Sequence, residues 1–337
     1  MKLAGRGVVQ RFRSPPGAGG QEGTREQADV PAKPDDTRPA RDAVFETQRS
    51  RGLGHLIDLA IVEHVIKRSH RISAARNRKM AIFANDLIGI SINQFGVYEK
   101  EELDILFDFL TPLRETFAAG TCLDIGANIG NHSLYFAPLF AAVHSFEPHP
   151  ATFRLLDFNV GGVGNVVAHN VGLGDSTGTF TLHEYPTNLG RSTITGRSVG
   201  RPDEIEIRVE RLDDLTLDLS SLCFVKIDVE GFEPCVIRGA LEVIGAHEPL
   251  IVLEQHESEF VDGTTPSIGL LQTLGYRFCW HHAGTRAHSR FLRRLANLRE
   301  LLTGRTHRIL TGTTVPERDH SMLIAVPPRF AALLAPS

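Results

Sequence analysis

Two short apolar runs in this chain end in residues that can move protons. FVKI is followed by Asp228 and Glu230 in DVEGFE, and LIVL is followed by Glu254 and His256 in EQHE. A carboxylate or an imidazole within reach of a hydroxyl can take its proton as the oxygen becomes a nucleophile, and such transfer contributes about 10²–10⁴-fold in rate. Asp228, Glu230 and His256 are therefore the candidate catalytic residues, with Asp228 first as the base. The alternative for Asp228 and Glu230 is to cap the next helix and hold a ligand's ammonium group without touching a proton. Asp228, Glu254 and His256 are ligand types for a metal, but their spacing is not that of a tight ligand set, so no metal is expected. Lys226 lies inside an apolar run, where a charge is costly unless paired. Pairing with Asp124, pairing with Glu254 and snorkelling to the sheet edge are the ways open to it.

A second constellation is the stretch TCLDIGANIGNH, Thr121 to His132. It reads as a strand, a glycine turn and a helix starting near Asn131. Gly126 and Gly130 let the backbone turn sharply and let a ligand approach with no Cβ in the way. A dinucleotide fingerprint needs GxGxxG to seat a pyrophosphate on the helix N-terminus, and that pattern is missing. Asp124, two residues before the first glycine, would repel a pyrophosphate and suits an ammonium or a sulfonium cation. This disfavours a nicotinamide cofactor and points to S-adenosylmethionine. Glu147 ends the next apolar run in HSFEPHP, 23 residues after Asp124, where doubly wound folds place the acid that binds ribose hydroxyls. Pro148 follows at once and turns the chain at the strand tip. In HNVGLGD, Gly172 either permits close approach to an adenine ring or simply makes a turn.

These residues need a scaffold, and the pattern supplies one. Short apolar runs alternate with helical stretches, the sign of a parallel α/β sheet. Strands are expected at 121–125, 142–146, 166–171, 224–227 and 250–253, with closing strands at 276–281 and 322–326. The fold class is α/β, a doubly wound, mostly parallel seven-stranded sheet, Rossmann-like, with N-terminal helices and a small β insertion over 177–211. Leu59, Val62 and Ile66 on one helix, and Leu103, Leu106, Phe107 and Leu110 on another, are expected to cover one sheet edge. Thr111 before Pro112 suits a helix N-cap. Three regions result: a disordered tail over 1–50, a helical region over 51–118 and the catalytic domain over 119–337. The tail is rich in proline, glycine and charge and poor in large apolar residues, so it cannot offset its ordering entropy.

Composition narrows the class further. With 42% hydrophobic and 23% charged residues, the chain can bury a globular core. A net charge of -4 gives no footprint for nucleic acid. The cysteines Cys122, Cys223, Cys235 and Cys279 form no CxxC pair and read as reduced thiols. No secretory signal and no membrane span stand out, so the expected location is the cytoplasm. Arg286, Arg290, Arg293, Arg294, Arg299, Arg305, Arg308 and Arg318 crowd one span. They suit an acceptor bearing phosphate or carboxylate, because guanidinium binds both in forked geometry; a solvated helix face is the other reading.

Taken in order, GVYEKEELDILFDFL, LDIGANIGNHSL, HSFEPHP, NVGLGD, RLDDL, FVKIDVEGFEPCVIRGA and LIVLEQHE resemble the FkbM-type methyltransferases, S-adenosylmethionine-dependent enzymes of the class I fold. The resemblance covers about half of the chain, roughly Phe95 to Glu257. It implies that Asp124, Gly126, Asn128 and Gly130, with Asn131 at the helix start, hold the methionine portion of the cofactor. It also implies that Glu147 holds the ribose and that the fourth strand's tip, where Asp228 stands, faces the methyl; Pro148 and Gly172 beside these positions are expected cofactor contacts as well. Members resembling this group methylate hydroxyls of sugars, glycolipids and polyketide-type natural products. The expected partner is thus a small-molecule or glycan acceptor with a hydroxyl. A nicotinamide-dependent oxidoreductase and a noncatalytic nucleotide-binding module are the competing readings.

Overall fold

The computed structural model describes residues 53–76, 80–83, 86–183, 193–195, 204–283 and 307–334. Helices α1 (Leu53–Arg76), α2 (Leu87–Phe95), α3 (Lys100–Phe109) and α4 (Arg114–Ala118) precede the sheet. Then come β1 (Thr121–Ile125), α5 (Asn131–Phe136), β2 (Ala142–Phe146), α6 (Pro150–Val160) and β3 (Val166–His169). After an insertion follow β8 (Leu222–Ile227), α7 (Glu233–Arg238), α8 (Leu241–His247), β9 (Leu250–Gln255) and α9 (Pro266–Thr273). The chain closes with β10 (Arg277–Ala283), β11 (His307–Gly312) and β12 (His320–Val326). The insertion itself holds β4 (Gly172–Leu173), β5 (Gly178–His183), β6 (Thr193–Thr195) and β7 (Glu204–Glu210).

The main sheet runs β11-β10-β12-β9-β8-β1-β2-β3. Strands β3, β2, β1, β8 and β9 are parallel, while β12 is antiparallel to both β9 and β10. β1 and β8 are buried along their whole length, as a parallel strand covered on both faces must be. The seven expected strands are present, and an eighth, β11, pairs antiparallel with β10. The insertion is a four-stranded sheet of order β4-β7-β5-β6. One apolar core packs α7, α8 and α9 against one face through Val236, Ile237, Ile244 and Ile268. The other packs α3, α4 and α5 against the opposite face through Leu103, Leu106, Phe117, Phe136 and Phe224.

Helix α1 departs from expectation. Leu59, Val62 and Ile66 are 51%, 52% and 49% exposed, so this face does not cover the sheet edge. The helix is held instead to α2: Ser69 Oγ donates to Asn93 Oδ1 at 3.3 Å, and the Arg68 guanidinium sits 5.3 Å from the Phe95 ring centroid. α3 does cover the sheet, with Leu103, Leu106 and Leu110 buried. Thr111 is not an N-cap, because its hydroxyl donates back to the Asp108 carbonyl at 2.8 Å and a 3-10 turn starts there. The expected tail over 1–50 and Arg286, Arg290, Arg293, Arg294, Arg299 and Arg305 lie outside the described residues. None of the helices among the described residues is long and apolar enough to cross a membrane. Cys122, Cys223 and Cys279 are buried free thiols and Cys235 is a half-buried one.

Candidate active site

Strand order reverses between β1 and β8, and ligands of open α/β sheets bind at the carboxyl ends of the strands at such a point. Here the backbones meet closely. Asp228 N–H donates to the Ile125 carbonyl at 3.0 Å. A Cβ on Gly126, whose φ is +79°, would stand 1.8 Å from the Asp228 carbonyl oxygen. Only glycine makes that turn and leaves the carboxyl end of β8 in contact with that of β1. Asn128 is also left-handed, and its side chain accepts from the Ile129 N–H at 2.7 Å, which fixes the turn without a third glycine.

Glu147 joins the turn to β2. Its two oxygens accept from Asn128 N–H at 3.0 Å and His149 N–H at 2.8 Å. Burial pushes its carboxyl up to about 7, against the pull of those two bonds. A carboxylate has more lone pairs than these two donors use, so hydroxyl donors can still be accepted there.

Register explains what lies beneath the turn. Asp124 of β1 stands opposite Ser145 of β2 and Lys226 of β8, which gathers three buried polar side chains on one sheet face. Ser133 Oγ donates to Asp124 Oδ2 at 2.6 Å and accepts from Ser145 Oγ at 2.8 Å. Lys226 Nζ lies 3.7 Å from Asp124 Oδ1 and 3.0 Å from Asp228 Oδ2. Burial alone would lower the Lys226 ammonium, but the Asp228 and Asp124 carboxylates outweigh it and raise it above its ordinary range.

Above this network opens a cavity of about 370 Å³. Gly126, Asn128, Asn131, Glu147, Pro148, Asp228, Glu230 and His256 all line it. Asp124, Gly130 and Gly172 do not. Asp124 is fully buried below the turn, Gly130 packs against Leu156, and Gly172 faces Pro148. The structure thus places these three beneath or beside the wall of this cavity rather than on it. The acid-before-glycine pattern did not reveal which face of β1 Asp124 occupies.

Several lining residues escaped the sequence reading. Tyr98 and Glu99 come from the turn before α3, Leu182 reaches in from the second sheet, and His132 lies on α5. His132 Nε2 is 3.3 Å from Glu99 Oε2. The GVYEKEEL string that carries Tyr98 and Glu99 was visible, but nothing local in it points to a site.

At the far wall the acids are coupled. Burial and then the Asp228 carboxylate push the Glu254 carboxyl up to about 9. For Asp228, burial alone would raise the carboxyl, yet the Lys226 ammonium and the hydrogen bond from Glu254 hold it below the usual range. One proton thus rests on Glu254 and is shared toward Asp228. Glu230, at φ 50°, carries its carboxylate to 3.5 Å from His256 Nε2. The His256 side chain also accepts the backbone N–H of Glu259 and caps the short turn after β9. Below them Glu233 accepts from Val229 N–H and Gly231 N–H at 3.1 and 3.3 Å, fixing the VEG turn, and burial raises it to about 7.

Among the described residues lining the cavity, Lys226 is the one lysine or arginine, and it is spent on Asp124 and Asp228. Acidic groups predominate, a balance that suits a cationic ligand and opposes a pyrophosphate. Glu230, Glu254 and His256 also present three ligand-type atoms within 4.8 Å of one another.

A mostly parallel sheet of this order, with a glycine turn after β1, an acid ending β2 and a crevice between β1 and β8, is a doubly wound α/β fold with its ligand site at the switch point. Residues 124–278 match the family model of the methyltransferase FkbM domain. A match to that family implies S-adenosylmethionine as the cofactor. The chain is 31% identical to Methyltransferase 1 of Beauveria bassiana, over 35% of this chain and 57% of that protein, so somewhat over half of the relative is spanned. It is also similar to the methyltransferase FkbM of Methylobacillus flagellatus, at 20% identity and a TM-score of 0.32, over 48% of this chain and 39% of that one. A precorrin-6y C5,15-methyltransferase from Geobacter metallireducens aligns at 16% identity and a TM-score of 0.35, over 71% of this chain and 98% of that one.

Proposed function

We propose that this protein transfers a methyl group from S-adenosylmethionine to a hydroxyl of a small molecule or glycan. The observation that carries the reading is the single acidic crevice where the glycine turn, Glu147 and the Asp228, Glu230, Glu254 and His256 cluster meet. Bound there, the cofactor supplies an electrophilic methyl on a cationic sulfur. Gly126, Asn128 and Asn131 form the cradle for its amino-acid end, and Glu147 accepts from the ribose hydroxyls. The excess of carboxylates favours the cation over its neutral product.

Methyl transfer is an in-line displacement, so positioning supplies most of the rate. The acceptor oxygen forms the new carbon–oxygen bond as the carbon–sulfur bond breaks, and its proton must go to a base. Asp228 is poorly suited to that part, because Lys226 and the Glu254 proton already engage its lone pairs and depress its basicity. Glu230 is better placed. With one ring nitrogen of His256 accepting from Glu259 N–H, a neutral ring carries its hydrogen on the other, which faces Glu230. His256 so orients the Glu230 carboxylate, which takes the proton.

The test is transfer of labelled methyl from S-adenosylmethionine into a fractionated extract, with identification of the labelled compound. Label on an oxygen supports the reading, and label on nitrogen or carbon overturns the hydroxyl assignment. Calorimetry separates the competitors: tight binding of a nicotinamide cofactor would favour an oxidoreductase, and cofactor binding with no labelled product in any fraction would favour a noncatalytic module.

A further inference from the structure

Beside the crevice lies a larger cavity of about 610 Å³, enclosed by α1, the 80–83 segment, α2 and α5. Ile72, Met80, Ile82, Ile92, Val97 and Leu134 form much of its wall. The polar side chains that face it are occupied within the protein. Ser69 Oγ donates to Asn93 Oδ1. Asn131 accepts from Tyr98 N–H at 2.9 Å and donates to the Tyr98 carbonyl at 3.1 Å, and Tyr135 donates its hydroxyl to Asp104 Oδ1 at 3.0 Å. The wall therefore offers hydrocarbon contact, and its volume is that of a small-molecule site.

The two cavities adjoin. Asn131 lines both. Helix α2 runs between them, with Leu87 and Ile88 lining the crevice and Ile92 and Asn93 lining the larger space. A ligand that lies along α2 can place one end at Glu230 and the other among the apolar residues.

We propose that the larger cavity receives an aliphatic chain of the methyl acceptor, which is thus an amphiphilic alcohol. The proposal rests on the methyltransferase reading and narrows its acceptor. No bond is made or broken in this cavity, whose part is to hold the chain so that the hydroxyl reaches the crevice.

The probe is the series of straight-chain alkanols from butan-1-ol to decan-1-ol, titrated calorimetrically into the full chain with and without saturating S-adenosylhomocysteine. Each buried methylene is worth about fourfold in affinity, so binding should tighten about fourfold per carbon and level off once the cavity is full. Ile82→Asp places a charge in the wall and Ser69→Trp fills the space. Each is expected to weaken octan-1-ol about tenfold or more while S-adenosylhomocysteine affinity stays within about twofold, which also shows that the variants fold. Affinity flat along the series, or variants that bind octan-1-ol as the parent does, overturns the proposal. Failure of S-adenosylhomocysteine to bind the parent would strike the methyltransferase reading instead, and the titration without it still decides what the cavity takes.

Discussion

Burial and then the Asp228 carboxylate push the Glu254 carboxyl up to about 9, and this divides the labour among the acids. Asp228 is held as an anion between Lys226 and the Glu254 hydroxyl, which is why Glu230 is the proposed base. Glu230→Gln is therefore expected to lower turnover about 100-fold or more with cofactor affinity within a few fold, the scale of a general base. His256→Ala, which only frees the carboxylate, should cost about tenfold. Asp228→Asn leaves Lys226 short of a counter-charge, so it should weaken S-adenosylmethionine more than S-adenosylhomocysteine, whose sulfur is neutral. Single-turnover rates beside calorimetry check all three, and a turnover loss larger in Asp228→Asn than in Glu230→Gln would return the base to Asp228. Since a proton already neutralises the Glu254 carboxyl, turnover should also survive a chelator. Activity lost to a chelator and restored by magnesium would put an ion among Glu230, Glu254 and His256. The same proton has a stability signature. An acid whose folded value of about 9 lies above its ordinary 4.5 adds stability that is full below pH 4.5 and is lost as pH rises toward 9. Melting temperature should thus fall across that window, and less steeply in Glu254→Gln, which keeps a hydrogen-bond donor without a titration. Equal slopes in the two proteins would show that Glu254 ionises normally.

Elements place these residues through contacts that a string of letters only half reveals. β1, β2, β8 and β9 were legible as short, mostly apolar runs alternating with helical stretches, and the glycine turn and Glu147 were legible from their spacing to them. Pairing of Lys226 with Asp124 was one of three alternatives in the sequence, and register is what selects it by setting Lys226 opposite Asp124; the Ser133 and Ser145 hydroxyls that complete the network were not legible. β11 was hidden for a related reason: HRILTG has little apolar content, and it becomes a strand only by pairing with β10. The docking of the second sheet was equally silent. A Cβ on Gly239, at the end of α7, would lie 1.8 Å from the Gly174 carbonyl oxygen, and nearby Arg238 Nε donates to Asp175 Oδ2 at 2.9 Å. Gly239 has an ordinary φ of -80°, so the need for glycine there is steric. Gly239→Ala is expected to cost about 1–3 kcal/mol, as overpacking does, and to loosen the cofactor because Leu182 of that sheet lines the crevice. Denaturant unfolding and calorimetry on the variant decide it; a stability unchanged from the parent would mean that the two loops part without cost.

On the scale of the whole molecule, the crevice and the large cavity share α2 and Asn131 but draw their remaining walls from different parts of the chain. The crevice is built at the sheet's carboxyl edge from the ends of β1, β2, β8 and β9, with Leu87 and Ile88 of α2, Tyr98, Glu99, His132 and Leu182 completing its wall. The large cavity takes a wall from α1, whose Leu59, Val62 and Ile66 stay about half exposed and so contribute little burial energy. The segment from Met80 is anchored independently of α1: Asn159 on α6 accepts from the Ala81 N–H at 2.7 Å and donates to the Ala81 and Ile129 carbonyls at 2.9 and 2.7 Å. This predicts a clean separation. A chain that starts at Met80 should retain S-adenosylhomocysteine affinity within a few fold and melt within a few degrees of the full protein. It should also lose the chain-length dependence of alkanol binding, because Ser69 and Ile72 are gone from the wall. Differential scanning fluorimetry and the two titrations, run on the same preparation, check the three parts together. A large fall in melting temperature with loss of cofactor binding would show that α1 supports the sheet after all.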